Sequence, residues 1–276
     1  MNALHNVAVL GAGYVGSAVA RALAAEGTAV WAVRRRSAAS DAGVTWLTGD
    51  LASGQVAGLP ADLDAVILSV APSSGADRYE ATYPPAARTA VTVAAATQAR
   101  ALVYTSSTGV YGEHDGGWVT ESTPRHGAGP GNQALIEAED ALLQSGRTGV
   151  TVLRVAGIYG PGRDPRGRYA HPGMLPRRGQ YWTNLAHQTD IVGAILHTLS
   201  HDGAPRALNV CDGNPALAAD VARWCAAERG QDPAALVFDN DAPLGRSNQR
   251  VSNAALRATG WEPQFPSFRE GFTHGV

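Results

Sequence analysis

The sequence predicts a doubly wound α/β fold, a parallel sheet covered by helices on both faces, and three observations carry that prediction. Apolar runs of strand length alternate with segments of helical period through the first 156 residues. A glycine pattern, Gly11-Ala12-Gly13-Tyr14-Val15-Gly16, stands between the first apolar run and the first helical segment. The 276 residues are 45% hydrophobic and 17% charged, which is ample for one large domain or a nucleotide domain with a smaller lobe.

In order, Val7–Leu10 reads as a strand, Val15–Glu26 as a helix and Ala29–Val33 as a second strand. Val44–Leu47 and Ala65–Val70 follow as strands three and four. Tyr83–Thr97 has helical period, Ala101–Thr105 is strand five, Gln133–Gln144 a helix and Val150–Val155 strand six. Parallel neighbours need a crossover that covers a sheet face, so strands separated by helices predict a Rossmann-type doubly wound parallel sheet. After Ala156 the texture changes. Gly160–Arg178, rich in Gly, Pro and Arg, reads as an ordered loop or lid. Tyr181–Asn184 is a candidate strand, Thr189–Leu199 a helix with Asp190 in its first turn, and Ala207–Val210 a strand. Pro215–Arg229 reads as an amphipathic helix and Asn253–Thr259 as a short helix stopped by Gly260. The expected division is a dinucleotide-binding domain, 1–156 plus 185–204, and a smaller discontinuous C-terminal substrate lobe, 157–184 plus 205–276.

Composition excludes several functions. A formal net charge of -2 offers no attraction to nucleic acid or an anionic membrane. No apolar run approaches the roughly 20 residues that span a bilayer. Met1 leads into a strand within a few residues, so no signal peptide is expected. Cys211 and Cys225 sit in apolar contexts without metal spacing, and His197 and His201 lack a third ligand, so no metal is expected. The expectation is a cytoplasmic, disulfide-free protein, monomer or homodimer. All 22 basic residues are arginine, so no step can use a lysine ammonium.

The glycines carry a specific chemistry. Gly11 permits a tight turn, Gly13 lets backbone amides approach a pyrophosphate, and Gly16 lets the helix pack on the strand. Tyr14 and Val15 open that helix, whose N-terminus offers N–H groups and partial positive charge to the anion. The second strand runs into Arg34-Arg35-Arg36 where an NAD site places a carboxylate. Guanidinium groups there favour the 2′-phosphate, so Arg34 and Arg35 point to NADP(H) over NAD(H). Asp50, before Leu51, is either an acceptor for the adenine amino group or a turn aspartate. Val70-Ala71-Pro72 is expected to run beside the cofactor ribose.

At Thr105-Ser106-Ser107-Thr108-Gly109-Val110-Tyr111-Gly112 the chain resembles the extended short-chain dehydrogenase/reductases, the nucleotide-sugar epimerase/dehydratase superfamily. Further similarity lies in Thr120–Pro124, in Leu153-Arg154-Val155-Ala156-Gly157-Ile158-Tyr159-Gly160-Pro161-Gly162 and in His187–Ile191. The ending, Val251–Leu256 with Gly260-Trp261 and Pro266–Gly271, is similar to that of an atypical bacterial branch. The resemblance implies that Ser107 hydrogen-bonds the reacting substrate oxygen and that Val155 and Ile158 line the nicotinamide end. It also implies that Thr108, Tyr111, Tyr159 and His187 face the substrate cleft. Arg163, Arg166, Arg168, Arg177, Arg178 and Arg250 are candidate clamps for a phosphate or carboxylate, since guanidinium forks match both.

The resemblance fails at one point. The superfamily's proton chemistry uses Y-x-x-x-K on the helix after Pro124, where a lysine lowers the tyrosine's pKa. This chain has no tyrosine between Tyr111 and Tyr159 and no lysine. Two function classes follow. In one, an NADP(H)-dependent oxidoreductase or epimerase/dehydratase acts on a small polar metabolite or nucleotide sugar, with Ser107 and Tyr111 as the catalytic pair and His114 and His187 behind them. In the other, the protein binds NADP(H) without turnover, as a redox sensor or scaffold.

Overall fold

The computed structural model describes residues 4–36, 41–72, 77–127, 129–170, 178–201, 203–244 and 247–276. Its centre is a seven-stranded sheet built from β1 (Asn6–Leu10), β2 (Ala29–Arg34), β3 (Val44–Thr48), β4 (Ala65–Leu68), β5 (Ala101–Ser107), β6 (Val150–Val155) and β7 (Ala207–Val210). The order is β7-β6-β5-β4-β1-β2-β3, and order reverses beside β1. The β1–β2, β2–β3, β1–β4 and β4–β5 pairs are parallel. This is the expected Rossmann-type α/β fold. Val7 to Leu10 and all of β4 are fully buried, because helices cover both faces of these strands. Along α1 (Tyr14–Ala25), Val15, Gly16, Val19, Ala20 and Leu23 form the buried stripe of a 3.6-residue period. A short α2 (Asp77–Glu80) precedes α3 (Tyr83–Ala96), with α4 (Pro130–Leu143) and α5 (Gln188–Ser200) further along.

Two compact units emerge. The first comprises Met1–Val110, Gly127–Arg154 and Ile191–Leu208. Within it an ion pair ties α4 to β6: Arg154 Nη2 lies 2.9 Å from Glu139 Oε2, and Arg154 Nε 3.2 Å from both carboxylate oxygens. Ser106 Oγ, on β5, donates to Glu139 Oε1 at 2.7 Å.

The second unit comprises Tyr111–His126, Val155–Asp190 and Asn209–Val276. Its core gathers Tyr159, Tyr169, Leu185, Val221, Phe268 and Phe272. Here the structure departs from the sequence reading in three places. The helix expected from Pro215 begins at Ala218, because Ala216–Leu217 pairs with Trp182–Thr183 and the Ala218 N–H donates to Tyr181 O at 2.9 Å. The segment read as loop contains a short helix, Arg166–Ala170, anchored by buried Tyr169. A helix over Phe268–His274 was not expected at all. Its signal is a capping box: Ser267 Oγ accepts from Arg269 N at 3.2 Å and donates to Glu270 Oε2. Gly271 belongs there because any side chain would collide with the Tyr159 hydroxyl. Among the described residues no helix is long and apolar enough to cross a membrane.

Candidate functional site

Each glycine of the phosphate turn meets a different physical demand. Gly11 has φ +92°, and a Cβ there would lie 2.5 Å from Ser69 O and 2.6 Å from Val70 Cγ1. The turn therefore abuts the end of β4, with the Gly11 and Ala12 N–H groups both donating to Val33 O at 3.0 and 2.9 Å. Gly16 packs against the turn, its Cβ position 2.5 Å from Gly11 O. Gly13 differs: nothing lies within 4 Å of its Cβ position. Open space beside the first turn of a helix is what an approaching pyrophosphate requires. No side chain caps α1 and no acidic residue occupies its first turn, so the positive end of the helix dipole is not neutralised. A dinucleotide pyrophosphate fits these residues.

At the end of β2, the Arg34 guanidinium lies over the Trp46 ring, 5.7 Å from its centroid, and Arg35 is exposed. The first carboxylate after them, Asp41, pairs with Arg21 at 3.1 Å. Asp50 Oδ1 accepts from Ala52 N at 3.0 Å, the bond of a turn aspartate, and its backbone bridges to Gln55. Leu51 is buried, with its carbonyl accepting from Thr89 Oγ1 at 2.8 Å. Val70 and Pro72 are half-buried and Ala71 is exposed.

The end of β5 is also in the first unit. The Gly109 N–H donates to Ser107 Oγ at 3.1 Å, and Asn132 Nδ2, from the first turn of α4, donates to Gly109 O. Ser107 and Thr108 are half-buried. A hydroxyl that accepts that backbone bond still has its own proton to donate.

Within the second unit, several candidates have structural work instead. Tyr111 is fully buried, and its hydroxyl donates to Asn209 Oδ1 at 2.6 Å. Asn209 is fixed in turn, its backbone N–H donating to Glu121 Oε1 at 2.7 Å and its Nδ2 to Ser252 O at 3.0 Å. That committed proton makes Tyr111 a brace. His114 Nε2 donates to Tyr111 O at 2.9 Å. His187 is buried as one neutral tautomer, Nδ1 accepting from Thr189 N at 3.1 Å and Nε2 donating to Gly275 O at 2.6 Å. Tyr159, fully buried, stacks edge-on against His187 and Phe272, and burial pushes its pKa up. Val155 is buried and Ile158 half-buried. Arg166 is engaged by Asp164 at 2.8 Å and by Phe272 O at 2.9 Å, and Arg250 lies between the Trp118 and Trp182 rings. Arg178 is half-buried, and its Nε finds no partner among the described residues. Arg177 and the side chain of Arg168 lie outside the described residues.

Sheet order and phosphate turn together define a dinucleotide-binding α/β protein. The chain belongs to the NAD-dependent epimerase/dehydratase family, whose model matches residues 7–211. It is similar to protein YeeZ of Escherichia coli K12, 31% identical over 209 residues that make up 74% of this chain and 73% of YeeZ. A solved structure from Methylobacillus flagellatus, described as an NAD-dependent epimerase/dehydratase, is 28% identical with a TM-score of 0.81, covering 98% of this chain and 97% of that one. The Bordetella bronchiseptica enzyme WbmG, in complex with NAD and UDP, shares the fold: TM-score 0.81, 16% identity, 99% of this chain and 94% of that one.

Proposed function

We propose that the protein is an NADP(H)-preferring oxidoreductase or epimerase/dehydratase that exchanges hydride with a hydroxyl- or carbonyl-bearing substrate, a nucleotide sugar or a small polar metabolite. The observation that carries this reading is the turn at Gly11, Gly13 and Gly16 with Arg34 and Arg35 at the end of the next strand. Gly13 and the amides opening α1 (Tyr14, Val15) would hold the pyrophosphate, and Val70-Ala71-Pro72 would flank the ribose. Arg34, already held over Trp46, and Arg35 would receive the 2′-phosphate. Asp50 acts as a turn residue, and Leu51 supports the adenine side through its packing. When bound, the nicotinamide supplies hydride exchange. Ser107 donates a hydrogen bond to the reacting oxygen and orients it, Thr108 contacts the same ligand, and Val155 and Ile158 contribute apolar surface. Tyr111 acts as a positioning residue through Asn209. Arg178, whose Nε has no hydrogen-bond partner among the described residues, is the arginine we assign to an anionic group of the substrate. Nucleotide sugars are favoured by the family; WbmG was solved with UDP. Two buried free thiols are consistent with a cytoplasmic protein.

The missing Tyr/Lys pair and the buried hydroxyl of Tyr111 favour a second reading, NADP(H) binding without turnover. One experiment separates them. The purified protein is incubated with UDP-sugars and NADP+ or NAD+, following absorbance at 340 nm and sugar products by mass spectrometry. Product formation that falls with Ser107→Ala supports the enzyme. Tight NADP(H) binding with no product from any sugar or small carbonyl supports the sensor. A charged phosphate contact contributes about 1.5–3 kcal/mol, so Arg34→Ala with Arg35→Ala should weaken NADP(H) binding at least tenfold and leave NAD(H) nearly unchanged. Equal weakening of both would remove the 2′-phosphate assignment.

A further inference from the structure

The family's proton-transferring pair is absent, so a catalytic site of this class must draw its acid from elsewhere. The eight tyrosines sort sharply by environment. Tyr83, Tyr104, Tyr111, Tyr159, Tyr169 and Tyr181 are all buried, and only Tyr14 and Tyr79 are not. Tyr14 opens α1 at the phosphate turn. Tyr79 stands on α2, eleven residues beyond the end of β4 at Leu68, and α2 packs against α4.

The contact is specific. A Cβ on Gly131, in the first turn of α4, would lie 3.0 Å from Tyr79 Cδ1, 3.3 Å from Cγ and 3.4 Å from Cε1. Gly131 thus leaves a slot in the helix surface, and the Tyr79 ring fills it. The next residue, Asn132, donates to Gly109 O, and Gly109 donates to Ser107 Oγ. Asn132 Nδ2 and Ser107 Oγ lie 3.5 and 3.4 Å from one point, the Cβ position of Gly109. One short chain of packed residues, all in the first unit, therefore connects the Tyr79 ring to the Ser107 hydroxyl. Tyr83 also packs edge-on against Tyr79, 5.3 Å from ring to ring.

We propose that Tyr79 is the catalytic acid/base of this site, standing in for the helix tyrosine the chain lacks. This rests on the oxidoreductase reading above. In the reductive direction the substrate carbonyl carbon receives hydride from the reduced nicotinamide, and the C=O π electrons move onto oxygen. That oxygen forms an O–H bond with the Tyr79 proton while the Tyr79 O–H bond breaks. Ser107 holds the same oxygen throughout, and water returns a proton to Tyr79, leaving an alcohol and the oxidised cofactor.

Two readouts test this, one of them independent of turnover. In the first, tetranitromethane nitrates the purified protein alone, with NADP+, and with NADP+ plus UDP, and peptides are read by mass spectrometry. Nitration is expected at Tyr14 and Tyr79 in the free protein, with Tyr79 shielded at least several-fold when ligands are bound. Equal nitration of Tyr79 with and without bound ligands overturns the assignment, whatever the activity. In the second, any substrate that wild type turns over is given to Tyr79→Phe. General acid/base groups contribute about 10²–10⁴-fold, so kcat should fall by that factor with NADP(H) affinity within twofold of wild type. A variant that keeps wild-type kcat refutes the proposal while leaving the oxidoreductase reading intact. A wild type that turns over nothing counts against that reading, and the nitration result then decides whether Tyr79 lies in the ligand site. Gly131→Ala, which displaces the ring without removing the hydroxyl, should lower kcat by a smaller factor; no change there also counts against the geometry.

Discussion

Glu139 and Arg154 are 0% and 4% exposed, and four of their contacts close between 2.7 and 3.2 Å when Ser106 is included. Arg154→Met keeps most of the volume but strands a buried carboxylate without its guanidinium. Removing one member of a buried ion pair costs about 3–5 kcal/mol, because the remaining charge has no water to return to. With a urea slope of about 3 kcal/mol/M for a chain of this size, the unfolding midpoint should drop by about 1–1.7 M. Glu139→Leu should cost a similar amount. The double variant Glu139→Leu/Arg154→Met removes both charges, and buried pairs replaced by apolar residues are often neutral. It should therefore be more stable than either single variant, with a coupling of several kcal/mol in the double-mutant cycle. Urea titrations followed by circular dichroism measure all four proteins. Strictly additive losses, or singles that lose under about 1 kcal/mol, would refute the reasoning. Because Ser106 precedes Ser107, the single variants should also lose activity beyond their loss of folded protein.

Three other outcomes follow from the geometry. Gly11→Ala should unfold or misfold the first unit, since its Cβ would overlap Ser69 O from a left-handed backbone, whereas Gly13→Ala should fold and lose at least tenfold in NADP(H) affinity; thermal melts and fluorescence titrations separate the two. Burial, reinforced by Asp190 and Glu270, pushes the Asp212 carboxyl up to about 8 despite its bond from Asn214 N at 3.0 Å. The folded state thus holds a proton the unfolded chain releases near pH 4, so this group's contribution is full below about pH 4 and lost as pH rises through about 8; Asp212→Asn should flatten the fall in urea midpoint between pH 5 and 9. Burial pushes the Cys225 thiol up to about 12 and raises Cys211 as well, so neither should react with Ellman's reagent at pH 8 until urea unfolds the chain.

The parts of the fold that depend on local pattern were legible. Strands β1, β2, β5 and β6 and helix α1 are read to within two residues at each end, because buried strands and amphipathic helices write their periods into the chain. The glycine turn was legible for the same reason: three glycines within six residues meet three separate steric demands. What failed depended on distant partners. Tyr111 is sequestered by Asn209, 98 residues on, and His187 by Gly275, 88 residues on. Motif position alone could not distinguish a hydroxyl facing a cleft from one bonded inside the core. The helix start at Ala218 was shifted by pairing with Trp182–Thr183. The Phe268–His274 helix was announced by Ser267 and Glu270, a capping box that went unused. Tyr79 carries no motif at all, and only Gly131's empty Cβ position draws attention to it.

Equilibrium titration of NADPH and NADH against the purified protein, read by quenching of tryptophan fluorescence, addresses the central claim most directly. Saturable binding of both is expected, with NADPH at least tenfold tighter and both weakened by Gly13→Ala. A folded protein whose fluorescence ignores both nucleotides would contradict the account.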